Sequence, residues 1–209
     1  MLADIDQVFT PESFETAAEV VRKSSDVCRT PLLGDCVSVL TSELPKSVKS
    51  VYFKLESAQI SGSFKIRGVV NQFAQLRSSR SSNGPLKLVT FSGGNYGKAF
   101  AIAVNKAEAD GIVVMLEKAP KDRVALIEGL GCKVELKPNT ELTATVQKYV
   151  SKGYTATHPF DEVDLILGYG SIALELMEDL PAEPDIILVP VGGGGLLSGI
   201  ATALRVNGT

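Results

Sequence analysis

Leu86-Lys87-Leu88-Val89-Thr90-Phe91-Ser92-Gly93-Gly94-Asn95-Tyr96-Gly97 is the stretch that decides the fold of this chain. A short apolar run ends in paired glycines, and the Ala-rich residues 96–106 that follow carry helical spacing. The stretch reads as strand, tight turn and helix. Downstream the same order repeats. Residues 112–116 read as a strand and 121–129 as a helix, 133–136 and 141–150 repeat the pair, and 154–157 and 171–178 repeat it again. Residues 186–191 read as a continuous apolar strand and 196–205 as a further helix. Strands alternating with helices imply right-handed βαβ units, and so an α/β fold whose twisted parallel sheet is covered by helices on both faces. In such sheets the ligand lies at the carboxyl ends of the strands, so the strand-to-helix loops are expected to carry the chemistry.

Upstream, Thr10-Pro11-Glu12 is a helix start: a capping hydroxyl, a proline in the first turn, then an acid at the positive end of the dipole. Phe14, Ala17, Ala18 and Val21 follow at helical spacing and predict one buried face. Thr30-Pro31 breaks the regular pattern. Val51, Phe53 and Leu55 alternate with Tyr52, Lys54 and Glu56, the period of a strand with one buried face. Ile66, Val69, Val70, Phe73 and Leu76 return to helical spacing, and the Ser- and Arg-rich residues 78–84 read as a solvated loop.

Composition narrows the function. The chain has 209 residues, 44% of them hydrophobic, with 21 Lys plus Arg against 24 Asp plus Glu and a net charge of −3. That balance excludes disorder and argues against a nucleic acid or an anionic membrane held by bulk charge. No apolar run is long enough to span a bilayer. The first ten residues carry Asp4 and Asp6 and no signal-peptide core, and Cys28, Cys36 and Cys132 form neither a disulfide framework nor a CxxC zinc pattern. Reduced thiols in a cytoplasmic protein are expected.

Three loops could hold one ligand. In Ser61-Gly62-Ser63-Phe64-Lys65-Ile66-Arg67-Gly68, Lys65 falls in the first turn of a helix. There the dipole opposes its charge and would depress its pKa, as a nucleophilic amine requires, although a solvated surface lysine is the ordinary alternative. In Ser92-Gly93-Gly94-Asn95-Tyr96-Gly97-Lys98, paired glycines let backbone N–H groups approach an anion and Asn95 offers an amide; a tight turn without ligand is the alternative. The P-loop pattern fails there, at Ser92 and at Ala99. In Pro190-Val191-Gly192-Gly193-Gly194-Gly195-Leu196, four glycines stand between an apolar strand and a helix and favour a phosphate cradle over plain turn chemistry. The dinucleotide fingerprint fails, at Leu197 or at Ser198 according to register. His158 is the single histidine, no GxSxG elbow exists, and no metal site is indicated. His158 reads as a strand-end structural residue, and Asp161, Glu162 and Asp164 as a solvated loop, with a hard-cation role as the weaker alternative.

Taken in order, these loops resemble the fold-type II pyridoxal-phosphate enzymes of tryptophan-synthase-β-like architecture, and within them the serine/threonine dehydratase and serine racemase group. The resemblance runs from Arg29-Thr30-Pro31-Leu32 through Lys54-Leu55-Glu56, the Lys65 and Asn95 loops, His158-Pro159-Phe160-Asp161 and Gly168-Tyr169-Gly170-Ser171-Ile172-Ala173 to the tetraglycine loop. It implies that Lys65 holds pyridoxal 5′-phosphate as a Schiff base, with Phe64 against the ring and Asn95 at the ring's 3′ oxygen. It implies phosphate binding by Gly192, Gly193, Gly194 and Gly195, with Leu196 at the helix start. It also implies that Ser92, Gly93, Gly94, Asn95 and Tyr96 hold the carboxylate of a small hydroxy amino acid. The implied reaction is deamination of L-serine or L-threonine to a 2-oxo acid and ammonia, with the freed Lys65 amine as base.

Two departures matter. Gly93 stands where the racemase pattern has a serine, which disfavours racemisation, and Tyr96 and Tyr169 replace the usual His or Ala and a common Gln. Family members continue well past the tetraglycine loop. A smaller domain over 50–154, and an incomplete larger domain made of 1–49 and 155–209, are therefore expected. A homodimer is compatible with the resemblance. The rival readings are an inactive or regulatory fragment and a nucleotide-binding module.

Overall fold

The computed structural model describes residues 5–34, 36, 44–80 and 84–208. The first four residues, the centre of the expected loop at 78–84 and the last residue fall outside them.

Helix α1 (Ile5–Val8) is a single turn, and α2 (Pro11–Lys23) starts as its sequence dictates. The Thr10 hydroxyl accepts from the Ser13 N–H at 3.2 Å, and Ser13 Oγ accepts from the Thr10 N–H at 3.0 Å. This capping box satisfies two otherwise orphaned donors. The predicted face, Phe14, Ala17, Ala18 and Val21, is the buried one.

The expected strand at 51–55 shrinks to two residues. Strand β1 (Leu32–Leu33) pairs antiparallel with β2 (Phe53–Lys54), and Phe53 faces outward at 42% exposure while Lys54 turns inward. Ion pairing outweighs the apolar pattern here: Lys54 Nζ lies 2.7 Å from Glu175 and 3.2 Å from Asp179.

After a short 3-10 turn at Glu56–Ala58 comes α3 (Lys65–Ser78). The alternating segment follows as β3 (Lys87–Phe91), α4 (Asn95–Lys106), β4 (Asp110–Leu116), α5 (Lys121–Gly129), β5 (Lys133–Lys137), α6 (Leu142–Val150) and β6 (Thr155–Thr157). The four strands form one parallel sheet in the order β5-β4-β3-β6. Alternation along the strands splits the core. Leu88, Val113 and Met115 pack with α3, α4 and α5 on one face, while Val89, Ile112 and Val114 pack with Val146 of α6 on the other.

Helices α7 (Val163–Asp179) and α8 (Gly195–Val206) complete the described chain. Helix α7 begins two turns before the predicted 171–178. With α2 they form a separate apolar cluster of Phe14, Ala17, Leu167, Ile172, Ala173, Leu176, Ile200 and Ala203. Phe64 and Leu196 pack against both this cluster and the sheet core.

The predicted strand at 186–191 is corrected: those residues form no regular element and pair with no strand among the described residues. Ile186 is 77% exposed, Leu188 91% and Val191 62%. A run of apolar side chains supplies β propensity, but a strand needs a neighbour for its backbone groups, and none of the described strands lies beside this one.

Candidate active site

Strands β3 and β6 are parallel neighbours, so the loops at their carboxyl ends lie side by side. The Phe91 and His158 rings meet edge to face at 5.5 Å. The Ser92 loop and the His158-Pro159-Phe160 turn thus share one end of the sheet, and Lys65 reaches that turn from the start of α3.

Lys65 Nζ donates to the Pro159 carbonyl at 2.9 Å. It lies 5.2 Å from the Phe64 ring centroid, 5.4 Å from Tyr169 and 6.0 Å from Tyr96. Among the described residues no carboxylate pairs with it. Burial without a counter-charge pushes its pKa down to about 8. The lowered pKa expected at this position is present, and desolvation by burial is its cause.

The Ser92 loop is shaped by its first residue. Ser92 Oγ accepts from the N–H of Gly97 at 3.1 Å and of Gly94 at 3.4 Å, and so satisfies one free N–H in the first turn of α4, whose N-cap is Gly94. A Cβ on Gly97 would sit 2.5 Å from the Ser92 carbonyl, so only glycine allows this tight turn. Gly93, Gly94 and Asn95 are exposed, whereas Tyr96 is buried beside Lys65 and donates to Gln72 Oε1 at 2.8 Å.

The tetraglycine loop reaches the same place from the other side. Gly194 adopts φ +87° at the start of α8, a conformation that glycine takes without strain. A Cβ on Gly193 would meet the Phe160 ring at 2.5 Å, and one on Gly195 would meet the Phe160 carbonyl at 2.7 Å and Tyr169 Cε2 at 3.4 Å. The absence of side chains at Gly193 and Gly195 brings the N-terminus of α8 against the Pro159-Phe160 turn that holds Lys65. Leu196 is partly buried at the helix start.

Sequence reasoning missed what fixes this turn. The acidic cluster read as a solvated loop contains Glu162, which is half-buried and accepts from the His158 N–H and from Gln72 Nε2. Burial raises the pKa of Glu162. His158, read from the sequence as a structural residue, accepts from the Asp161 N–H at its Nδ1 at 3.0 Å. Also missed was the cage around Arg67, which is 0% exposed. Its guanidinium donates to Glu56 at 2.9 and 2.8 Å and to Glu175 at 2.7 and 2.9 Å. Lys54 closes the network through Glu175 and the Thr30 carbonyl. The partners lie up to 108 positions from Arg67, so no local pattern could reveal them.

Chemically, the arrangement sets an amine of lowered basicity beside a helix N-terminus whose free N–H groups suit an anion. Beside Lys65, the Tyr169 hydroxyl is fully buried and is one of three buried side-chain hydroxyls with no partner among the described residues. These features fit a phosphorylated aldehyde.

The family model for pyridoxal-phosphate-dependent enzymes matches residues 24–209. The L-threonine dehydratase catabolic TdcB of Staphylococcus aureus is 36% identical over 180 residues, covering 85% of this chain and 50% of that protein. The L-threonine ammonia-lyase of Thermotoga maritima is 36% identical over 158 residues, covering 74% and 38%. Serine racemase from Dictyostelium discoideum superposes with a TM-score of 0.82 at 31% identity, covering 95% of this chain and 62% of the other. The chain spans about half the length of the curated relatives it matches. The Lys65 chamber and this match over most of the sequence agree, and the chain belongs to the pyridoxal-phosphate-dependent enzyme family.

Proposed function

We propose that this chain carries the reaction centre of a pyridoxal-phosphate-dependent ammonia-lyase. Its substrate is L-serine or L-threonine, converted to a 2-oxo acid and ammonia. The observation that carries this reading is Lys65: a half-buried amine without a carboxylate partner among the described residues, tied by one turn to a tetraglycine helix start. The dehydratase and ammonia-lyase names of the relatives support the substrate class.

When bound, the cofactor supplies an electron sink for the pair left at the substrate α carbon. Lys65 is the residue that would hold it and whose amine would take the α proton; an amine with a pKa of about 8 is suited to both roles. With the cofactor bound, Phe64 would lie against the ring, Asn95 would donate to its 3′ oxygen, and Gly192, Gly193, Gly194, Gly195 and Leu196 would hold the phosphate through backbone N–H groups. The turn from Ser92 to Tyr96 holds the substrate carboxylate. Gly93 offers no side chain that could move a proton on the opposite face, which favours elimination over racemisation.

With this reading goes the division into a smaller domain, 50–154, and a larger one built from 1–49 and 155–209. A fold-type II assembly, a homodimeric state and a cytoplasmic setting belong to the same proposal, the last supported by free Cys28, Cys36 and Cys132.

A second reading, a chain that holds cofactor or a partner without turnover, is favoured by the exposed apolar side chains of Ile186, Leu188 and Val191. One assay separates the two. The purified chain with pyridoxal phosphate is given L-serine and L-threonine, and ammonia and 2-oxo acid are measured for wild type and Lys65→Ala. Release by wild type alone is expected. Cofactor uptake without release would establish the second reading instead.

A further inference from the structure

Three buried side-chain polar atoms have no hydrogen-bond partner among the described residues: Ser63 Oγ, Thr157 Oγ1 and the Tyr169 hydroxyl. Ser63 stands two residues before Lys65, and Thr157 two residues before Pro159, the acceptor of Lys65. Tyr169 is the most deeply placed, at 0% exposure. Of the three, only Tyr169 has a ring that lies against Lys65.

The setting of Tyr169 is built with care. Its ring sits edge to face with Phe64 at 5.0 Å and 5.4 Å from Lys65 Nζ. A Cβ on Gly68 would fall 2.5 Å from its Cε1 and 2.8 Å from its Cζ, so Gly68 clears the space that the ring fills. On the other edge, a Cβ on Gly195 would lie 3.4 Å from Cε2. The ring is thus wedged between the first turn of α3 and the first residue of α8. Phenylalanine would fill that wedge equally well. It would also avoid burying a hydroxyl without a partner, which is unfavourable in any folded protein. Tyr96, the neighbouring phenol, shows the contrast, since its hydroxyl is satisfied by Gln72.

We infer that the Tyr169 hydroxyl is a ligand-binding atom, which donates a hydrogen bond to an oxygen of the pyridoxal-phosphate group held by Lys65 and the α8 N-terminus. The inference rests on the reading proposed above and adds a binding residue to it. It makes Tyr169 a burden on the chain without cofactor and an asset to the loaded one. Replacement by phenylalanine therefore acts in opposite directions on the two states.

The test compares wild type with Tyr169→Phe in two measurements on the purified chain: thermal unfolding without ligand, and titration with pyridoxal phosphate followed by absorbance. The expected result is an unfolding midpoint equal to or above that of wild type, with a dissociation constant for pyridoxal phosphate weakened roughly five- to tenfold. A lowered midpoint without ligand would show that the hydroxyl already has a protein partner, and would overturn the inference. An unchanged dissociation constant would show that the hydroxyl serves a buried water at most, and would overturn it as well. Failure of wild type itself to bind would be recorded separately: it removes the proposed function, and this inference with it.

Discussion

Lys65 and Arg67 leave the first turn of α3 two residues apart, and the protein treats their charges in opposite ways. Arg67 is enclosed completely and given two carboxylates, Glu56 and Glu175, in bidentate contact. Burial opposes its charge, but hydrogen bonds to Glu175 and Glu56 outweigh that penalty, and the guanidinium is held protonated. Lys65 receives a carbonyl, three aromatic rings and, among the described residues, no carboxylate, and its pKa falls to about 8. One cation is a fixed structural charge, and its neighbour is an amine free to shed its proton. Depth alone does not lower the basicity of a buried cation; the withheld counter-charge does.

Breaking the cage gives the largest effect. Arg67→Met leaves half-buried Glu56 without its counter-charge and Glu175 with Lys54 alone, and is expected to cost about 3–5 kcal/mol in denaturant unfolding. A loss near zero would mean that the network is incidental. The same network bears on legibility. Phe14, Ala17, Ala18 and Val21 were readable because helical periodicity is local, and the helix predicted at 121–129 matches the observed Lys121–Gly129 for the same reason. Lys54 was not, because its partners Glu175 and Asp179 are more than a hundred positions away, and they reverse which side of β2 is buried. The stretch at 186–191 failed for a related reason. Its apolar residues match the composition of a strand, but pairing is decided by a neighbour that no local pattern describes. Of the site, Lys65 and the two glycine loops were legible from residue type and order. The roles of the Pro159 carbonyl and Glu162 were not, since they depend on how the β6 turn meets α3.

The contact that holds the two treatments apart can be disturbed next. Gly68 and Gly168 let α3 approach α7, and a Cβ on Gly168 would lie 2.7 Å from the Arg67 carbonyl. Gly68→Ala, whose Cβ would strike the Tyr169 ring, is expected to destabilise by about 1–3 kcal/mol, measured by the shift in urea midpoint at constant slope. An unchanged midpoint would show that the helices can part without cost.

The pH dependence of stability is the most informative about Lys65. Its native pKa of about 8 lies below the 10.5 of an unperturbed lysine. Between those values the unfolded chain binds more protons, so the stability of wild type rises with pH across that window. Lys65→Met lacks this rise. The variant is expected to gain on wild type most below pH 8, with the difference shrinking as pH approaches 10.5. Parallel stability curves for the two proteins would mean that Lys65 is solvated.

The most direct measurement asks which amine reacts. Pyridoxal phosphate is added to the chain, the linkage is reduced with borohydride, and the modified lysine is located by peptide mass spectrometry below, at and above the pKa of Lys65. Modification at Lys65 is expected, rising as pH passes through that pKa and lost in Lys65→Ala. Modification spread over surface lysines, or concentrated on any residue other than Lys65, would contradict the assignment of Lys65 as the reactive amine.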